Sequence, residues 1–266
     1  MAATPSPPGT SGRGHSSLGH ACLAYDDRAA LEAAAHDFLA AGRAAGQQVR
    51  YLADEAPRGW DFEPELMRPA EHYPVGGVID PATGLARWAA ATEAALAAGY
   101  TGLCVAADTT ALVRTPEQLD AYVRYEHRVD RYVRANPFTA MCALDRRVLG
   151  DAVVADVACV HPHSDTPFRL FASGPGSTGA ALAGELDAAT RTRLEHALDR
   201  AELDPAGGEL VLDAPGLTFV DHNTLLDLDA YARRRGTTVL LRTRLRSAAR
   251  LADLLDLTAL RVEITR

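Results

Sequence analysis

The segment HACLAYDDRAALEAAAHDFLAAG, residues 20–42, joins a strand pattern to a helix pattern with no loop of any length between them. Six mostly apolar residues, HACLAY, end in Asp26 and Asp27, and helical periodicity then places Leu31, Ala35, Phe38 and Leu39 on one face. Either aspartate can cap that helix, and Gly46 closes it. The same alternation continues outward. VRYLAD (49–54) reads as a strand, a Pro- and charge-rich loop runs to Pro74, and residues 81–98 read as a helix closed by Gly99. TGLCVAAD (101–108) is a strand, 116–134 a helix with proline in its first turn, and FTAMCALD (138–145) a strand. Strand–helix alternation of this kind predicts an α/β domain with a mostly parallel sheet, covered on both faces in three layers.

After HPHSDTP a second block begins at residue 168. FRLFAS and ALAGEL read as strands, with a helix opening after Asp187. GELVLDAPG (208–216), TTVLLR and LRVEI supply further strands, and LTFVDHNTLLDLDAYARRR and SAARLADLLDL two more helices. At 266 residues the chain accommodates two cores of ordinary size. We expect a disordered tail over 1–18, a first domain over 19–163, a linker over 164–167 and a smaller α/β domain over 168–266.

Composition narrows the functions. Hydrophobic residues at 47% and charged residues at 23% suit a globular chain. A net charge of −8 argues against a nucleic-acid partner, because phosphate neutralisation needs a clustered basic face. All 27 basic residues are arginine. Chemistry that needs a lysine amine is therefore excluded, Schiff bases and the P-loop lysine included. The Pro-, Gly-, Ser- and Thr-rich start lacks the apolar stretch of a signal peptide, and no run reaches the roughly 18 apolar residues of a membrane span. A cytoplasmic protein without membrane contact is expected. Cys22, Cys104, Cys142 and Cys159 lie in apolar, strand-like contexts without CxxC spacing, which predicts reduced buried thiols.

The second block resembles the STAS domain of anti-sigma factor antagonists. The resemblance is carried by ALAGELDAAT (181–190), ELVLD (209–213), GLTFVD (216–221) and RGTTVLL (235–241), in that order. It implies a STAS-like fold and a protein-docking role, with an anti-sigma factor or serine-kinase-like regulator as partner. In that family a serine directly after the aspartate, at a helix N-terminus, is phosphorylated. Here the positions read Asp221, His222, Asn223 and Thr224, so the serine hydroxyl is missing. Thr224 retains a hydroxyl where the family has glycine. Docking would use the Asp221–Asp227 end of the helix together with the adjoining loop after Leu182, Glu185 and Asp187 included. Helix capping by Asp221 competes with, or accompanies, that role.

The first block resembles the MEDS domain, named for sensory regions of methanogen and methylotroph regulators. The matching pieces are HACLAYDD (20–27), FLAAGRAAGQQVRYL (38–52), Tyr125–Glu126, MCALD (141–145) and VHPH (160–163). The likeness implies a degenerate relative of RecA-like P-loop ATPases that recognises a small molecule, hydrocarbon derivatives among them. Where a P-loop would cradle phosphate this chain has AYDDRAAL, whose two carboxylates repel a triphosphate. Ligands of a parallel α/β domain collect at the C-terminal strand ends. That edge would gather Tyr25, Asp26, Asp54, Asp108, Asp145, His161 and His163, with Glu126 on a neighbouring helix. His20, Cys22, Glu126, Cys142, His161 and His163 include metal-ligand types, but only His161 and His163 are close in sequence. Core and hinge roles are expected for them, with no metal and no cofactor.

No nucleophile-and-base signature is present, which leaves no candidate catalytic residue. The expectation is a non-enzymatic signalling regulator in which a sensing first domain controls a docking second one. The alternatives are an enzyme of unknown reaction on a small molecule and a ligand-free scaffold.

Overall fold

The computed structural model describes residues 19–74, 76–174 and 179–266; the tail assigned to 1–18 lies outside them. The first half runs β1 (His20–Tyr25), α1 (Arg28–Ala44), β2 (Gln48–Leu52), β3 (Glu65–Met67), α2 (Pro69–His72), α3 (Pro81–Ala97), β4 (Leu103–Asp108), α4 (Pro116–Ala135), β5 (Phe138–Asp145) and α5 (Arg146–Ala158). Its five strands form one sheet in the order β1-β5-β4-β2-β3, every pair parallel. Along β4 the period of two sorts side chains between the faces. Leu103, Val105 and Ala107 join the core under α3, α4 and α5, while Cys104 and Ala106 join that under α1. The three-layer α/β expectation is met in this arrangement.

Side-chain caps start α1, α3 and α4. Asp27, not Asp26, caps α1 by accepting from the Ala30 amide at 2.8 Å. Asp80 caps α3, with Pro81 at its first position. Thr115 and Gln118 form a reciprocal capping box on α4. Gly42 lets α1 lie on β4, because a Cβ there would stand 2.5 Å from the Cys104 sulfur.

Two departures from the sequence reading concern α5. The sequence pattern places no helix between 145 and the HPH segment, yet RRVLGDAVVADVA is helical on either side of a kink at Gly150, whose φ is 75°. Cys159 accordingly ends this helix instead of lying in a strand. All four cysteines are free thiols, as expected. The loop expected over 55–74 also holds two short elements, β3 and α2.

The second half comprises β6 (Phe168–Ala172), β7 (Ala180–Leu186), α6 (Arg191–Arg200), β8 (Glu209–Val220), α7 (His222–Arg234), β9 (Thr238–Thr243), α8 (Arg246–Leu254) and β10 (Leu260–Ile264). Its sheet order is β10-β9-β8-β7-β6, antiparallel only between β6 and β7. The segment around Gly184, expected as loop, is the end of β7, which faces a bulge in β8: Gly184 pairs with Leu217 and Glu185 with Phe219. Gly184 has φ +95°, and a Cβ there would collide with the Pro167 carbonyl, so glycine is required. Helix α6 opens at Arg191, after an Asp187–Thr190 turn, and not directly after Asp187. β8 runs on through Pro215, which is tolerated because β9 pairs only as far as Ala214.

The halves do not keep separate cores. One cluster of buried apolar side chains extends from Leu52 through Trp88, Tyr122 and Val157 to Phe168, Leu212 and Leu260. Around it, Arg128 meets Glu202 at 2.8 Å, Arg200 meets Asp120 at 3.0 Å and Arg193 meets Asp156 at 2.8 Å. Among the described residues no helix is long and apolar enough to cross a membrane.

Asp229 ties the last strand to α7. Its Oδ1 accepts from the Ala259 and Leu260 amides at 2.6 and 3.0 Å, and Oδ2 accepts from Arg233. Burial opposes its charge, but these donors hold the carboxyl below its usual range. Asp229→Ala is expected to lower the urea-unfolding free energy by about 2–4 kcal/mol at neutral pH, leaving two amides unpaired. The carboxylate's contribution is present above about pH 4 and lost as pH falls through the lowered folded value. The gap between wild type and variant should therefore narrow on acidification.

Candidate functional site

The C-terminal edge of the first sheet gathers only part of the set expected there. Tyr25 donates to Asp108 Oδ2 at 2.8 Å, and Asp108 Oδ1 accepts from the Thr110 amide. Asp145 caps α5 and holds Arg147 at 2.9 Å, while its own amide donates to Thr110 Oγ1. Asp26 is exposed and pairs with Arg146 at 2.9 Å. Asp54 is exposed beyond β2. Tyr25, Asp108 and Asp145 are thus joined by a network that closes on itself through Thr110.

His161 and Glu126 are elsewhere, inside the domain. His161 follows α5 in a turn, and the chain then passes along the outer side of β1, where the Cys22 amide donates to the His163 carbonyl at 2.9 Å. His163 itself is exposed, so the two histidines do not share a site. Pro162 between them breaks the alternation that would have put both on one face.

His161 instead meets His20 at the start of β1, Glu126 on α4 and Cys142 on β5. All four side chains are buried, and their ligand atoms lie within 4.8 Å of one another. His20 Nε2 is 3.0 Å from Glu126 Oε2, and His161 Nε2 is 3.3 Å from the same oxygen without the alignment of a hydrogen bond. The Cys142 thiol donates to Glu126 Oε1 at 3.4 Å. The imidazole rings stand 4.2 Å apart between centroids. One turn along α4, Asp130 Oδ1 accepts from His20 Nδ1 at 3.2 Å, and Oδ2 accepts from the Ala172 amide of β6 at 2.6 Å.

The electrostatics follow from burial and proximity. Burial opposes a charge on His20, but Asp130, Cys142 and Glu126 outweigh it and hold the imidazole well above its ordinary value. Burial and the neighbouring His20 oppose charge on His161, yet contacts with Cys142 and Glu126 push it up to about 9. Burial would raise Glu126, but the two imidazoles hold it well below the carboxylate range. On the same helix, His127 is pushed down to about 3 by burial and the nearby Arg131.

Glu126 and Cys142 also line a cavity of ≈ 20 Å³, room for one water-sized guest. Its remaining wall is largely aromatic: Tyr73, Trp88, Tyr122, Tyr125 and Phe138. Trp88 Nε1 donates to the Tyr125 hydroxyl at 2.6 Å, which fixes both rings. Composition hinted at none of this. Tyr73 and Trp88 come from segments with no motif, and Asp130 reads in sequence as one more charge on a helix face.

In the second half, Asp221 caps α7 through the Thr224 amide at 2.7 Å. His222 is exposed and Asn223 partly so, whereas Thr224 is buried at 1% exposure with its hydroxyl facing inward. That burial places the hydroxyl out of reach of a modifying enzyme. Asp227 is engaged by Arg191 of α6, Nη2 to Oδ1 at 2.6 Å. Glu185 is exposed at the end of β7, and Asp187 orders the turn before α6.

The first half is thus a parallel α/β domain that holds its reactive side chains within the fold, beside a small cavity, with its strand-end polar groups tied up in caps. The model of the MEthanogen/methylotroph, DcmR Sensory domain family (MEDS) matches residues 19–162, and the chain belongs to that family. Membership assigns the first half to sensing and signal transduction. No curated protein and no solved structure matches the chain.

Removing Asp130 should expose how far the buried polar groups depend on one another. Asp130→Ala leaves the Ala172 amide and His20 Nδ1 without an acceptor, and a loss of about 3–5 kcal/mol is expected in denaturant unfolding. Asp130→Asn, which keeps one acceptor oxygen, should lose less.

Proposed function

We propose that the chain is a non-enzymatic, cytoplasmic signalling regulator that senses a small guest in its first half and acts by protein docking through its second. The observation that carries this reading is Asp130, whose two oxygens contact the buried cluster through His20 and the first strand of the second half through Ala172. A change around Glu126 and His20 is felt one helical turn away, at a backbone bond of β6. The aromatic wall of the cavity favours an apolar or weakly polar guest, in line with a hydrocarbon derivative. The likeness to RecA-type ATPases is supported by the parallel sheet and its strand–loop–helix start. Asp26 and Asp27 in that loop speak against a triphosphate, so no nucleotide enters the proposal.

For the second half we retain the STAS-like reading. The quoted motifs fall in order on β7, β8, the α7 cap and β9 of one five-stranded sheet. The docking surface is the start of α7 with the end of β7: Asp221, His222, Asn223, Glu185 and Asp187, with Asp227 held by Arg191. The partner is an anti-sigma factor or serine-kinase-like regulator. Thr224, buried, contributes packing to the helix start and no phosphate acceptor.

Sensing is tested with Trp60→Phe protein, which leaves Trp88 as sole tryptophan. Methanol and methyl halides, the alcohols and alkyl halides nearest in size to the cavity, should shift its emission saturably, and Ala140→Val, which narrows the cavity, should weaken that response. An emission indifferent to every such compound would refute the sensor. Docking is tested by separating cap from contact. Asp221→Asn preserves capping and should leave stability unchanged, whereas Asp221→Ala should cost about 1 kcal/mol. Partner capture should fall in both; capture that tracks stability alone would reduce Asp221 to a cap.

A further inference from the structure

We propose that His20, Glu126, Cys142 and His161 form a binding site for one divalent ion of the zinc class. The inference goes beyond the sensor reading and does not depend on it. The four donors come from the start of β1, from α4, from β5 and from the turn after α5, so only the folded chain assembles them. A tetrahedral ion with bonds of about 2.0–2.3 Å sets its donors about 3.3–3.8 Å apart. The separations here are 3.0 Å and 3.3 Å from Glu126 Oε2 to the two Nε2 atoms. From Cys142 Sγ they are 3.4 Å to Glu126 Oε1 and 4.0 Å to His20 Nε2.

The orientation of the imidazoles is the second, independent observation. His161 Nδ1 lies 2.9 Å from the Val157 carbonyl, which can only accept, so the proton sits on Nδ1. His20 Nδ1 is held in the same way by the Asp130 carboxylate. Both Nε2 atoms therefore turn toward one point between Glu126 and Cys142, and that of His161 is fully buried without a hydrogen-bond partner. Two Nε2 lone pairs facing one carboxylate oxygen repel it unless a proton or a cation lies between. An outer carboxylate or carbonyl on Nδ1 is the support that metal-bound histidine ordinarily has.

Charge and donor softness select the ion. Glu126 and the Cys142 thiolate supply two negative charges, which a divalent cation neutralises in a buried site. Binding releases the thiol proton, and any proton carried on Nε2, to solvent. One thiolate and two imidazoles suit zinc-class ions and disfavour magnesium or calcium, which need oxygen donors.

The test uses the full chain, freed of metal with a chelator and titrated with cobalt(II), then zinc(II). Saturation at one cobalt per chain is expected, with visible bands of tetrahedral cobalt, a thiolate-to-cobalt charge-transfer band in the near ultraviolet, and displacement of both by zinc. Cys142→Ser should lose the charge-transfer band, whereas Cys22→Ser, altering the neighbouring thiol on β1, should keep it. Asp130→Asn should weaken zinc binding by about 10–100-fold while leaving the band in place. Failure of the natively folded wild-type chain to take up cobalt with a thiolate band, or a band lost in Cys22→Ser and kept in Cys142→Ser, would overturn the site. Because the wild-type spectrum is itself decisive, a variant that misfolds does not spare the proposal. Guest-induced changes in Trp88 emission of chelated protein are read separately, so the metal site and the sensor can fail independently.

Discussion

Two carboxylates one turn apart on α4, Glu126 and Asp130, are taken out of water, and the layout of the first half answers that constraint. A buried carboxylate is tolerated only when charge and hydrogen-bond donors meet it. Those donors arrive from distant parts of the chain: His20 from the first strand, His161 from the turn after α5, and the Ala172 amide from β6. The register of β1 against β5 is bound up with this, since Cys22 pairs beside Cys142 and His20 must stand opposite α4. A slip by one residue would turn His20 to the other face of the sheet and leave both acids exposed to each other. The polar groups therefore specify the arrangement more strictly than the surrounding apolar packing does.

Much of the fold was legible because its signals are local. The strands HACLAY, TGLCVAAD and FTAMCALD and the helices between them follow from apolar period and caps, and Asp27 and Asp221 sit where capping requires. Local signals fail where a residue is used against its habit. Gly150, at φ 75°, kinks α5 into a first turn and the helix that follows, and Gly184, at positive φ opposite a bulge in β8, reads as a loop. Pro215 lies within β8 because one of its neighbours has already stopped pairing.

The site was legible only in fragments. Tyr125–Glu126 and the HPH segment drew attention, but sequence proximity suggested that His161 and His163 work together. The structure separates them and joins His161 to His20, about 140 positions back along the chain, to Glu126, about 35 back, and to Cys142, about 20 back. No spacing rule spans such distances, since the β1–β5 pairing and the return after α5 create the proximity. Asp130 carries no sequence signal for a related reason: its partner in the second half is a backbone amide, which any residue could supply.

The amide of Ala172 has one further implication. Because its acceptor also orients His20, the first strand of the second half completes the interior of the first. Melting of the two halves should then be a single cooperative event, and a fragment severed at the connector would carry a raw acidic wound in its flank. Shuffling the sensory module onto a different output would require the newcomer to bring its own donor to that oxygen, which limits the recombinations open to this lineage.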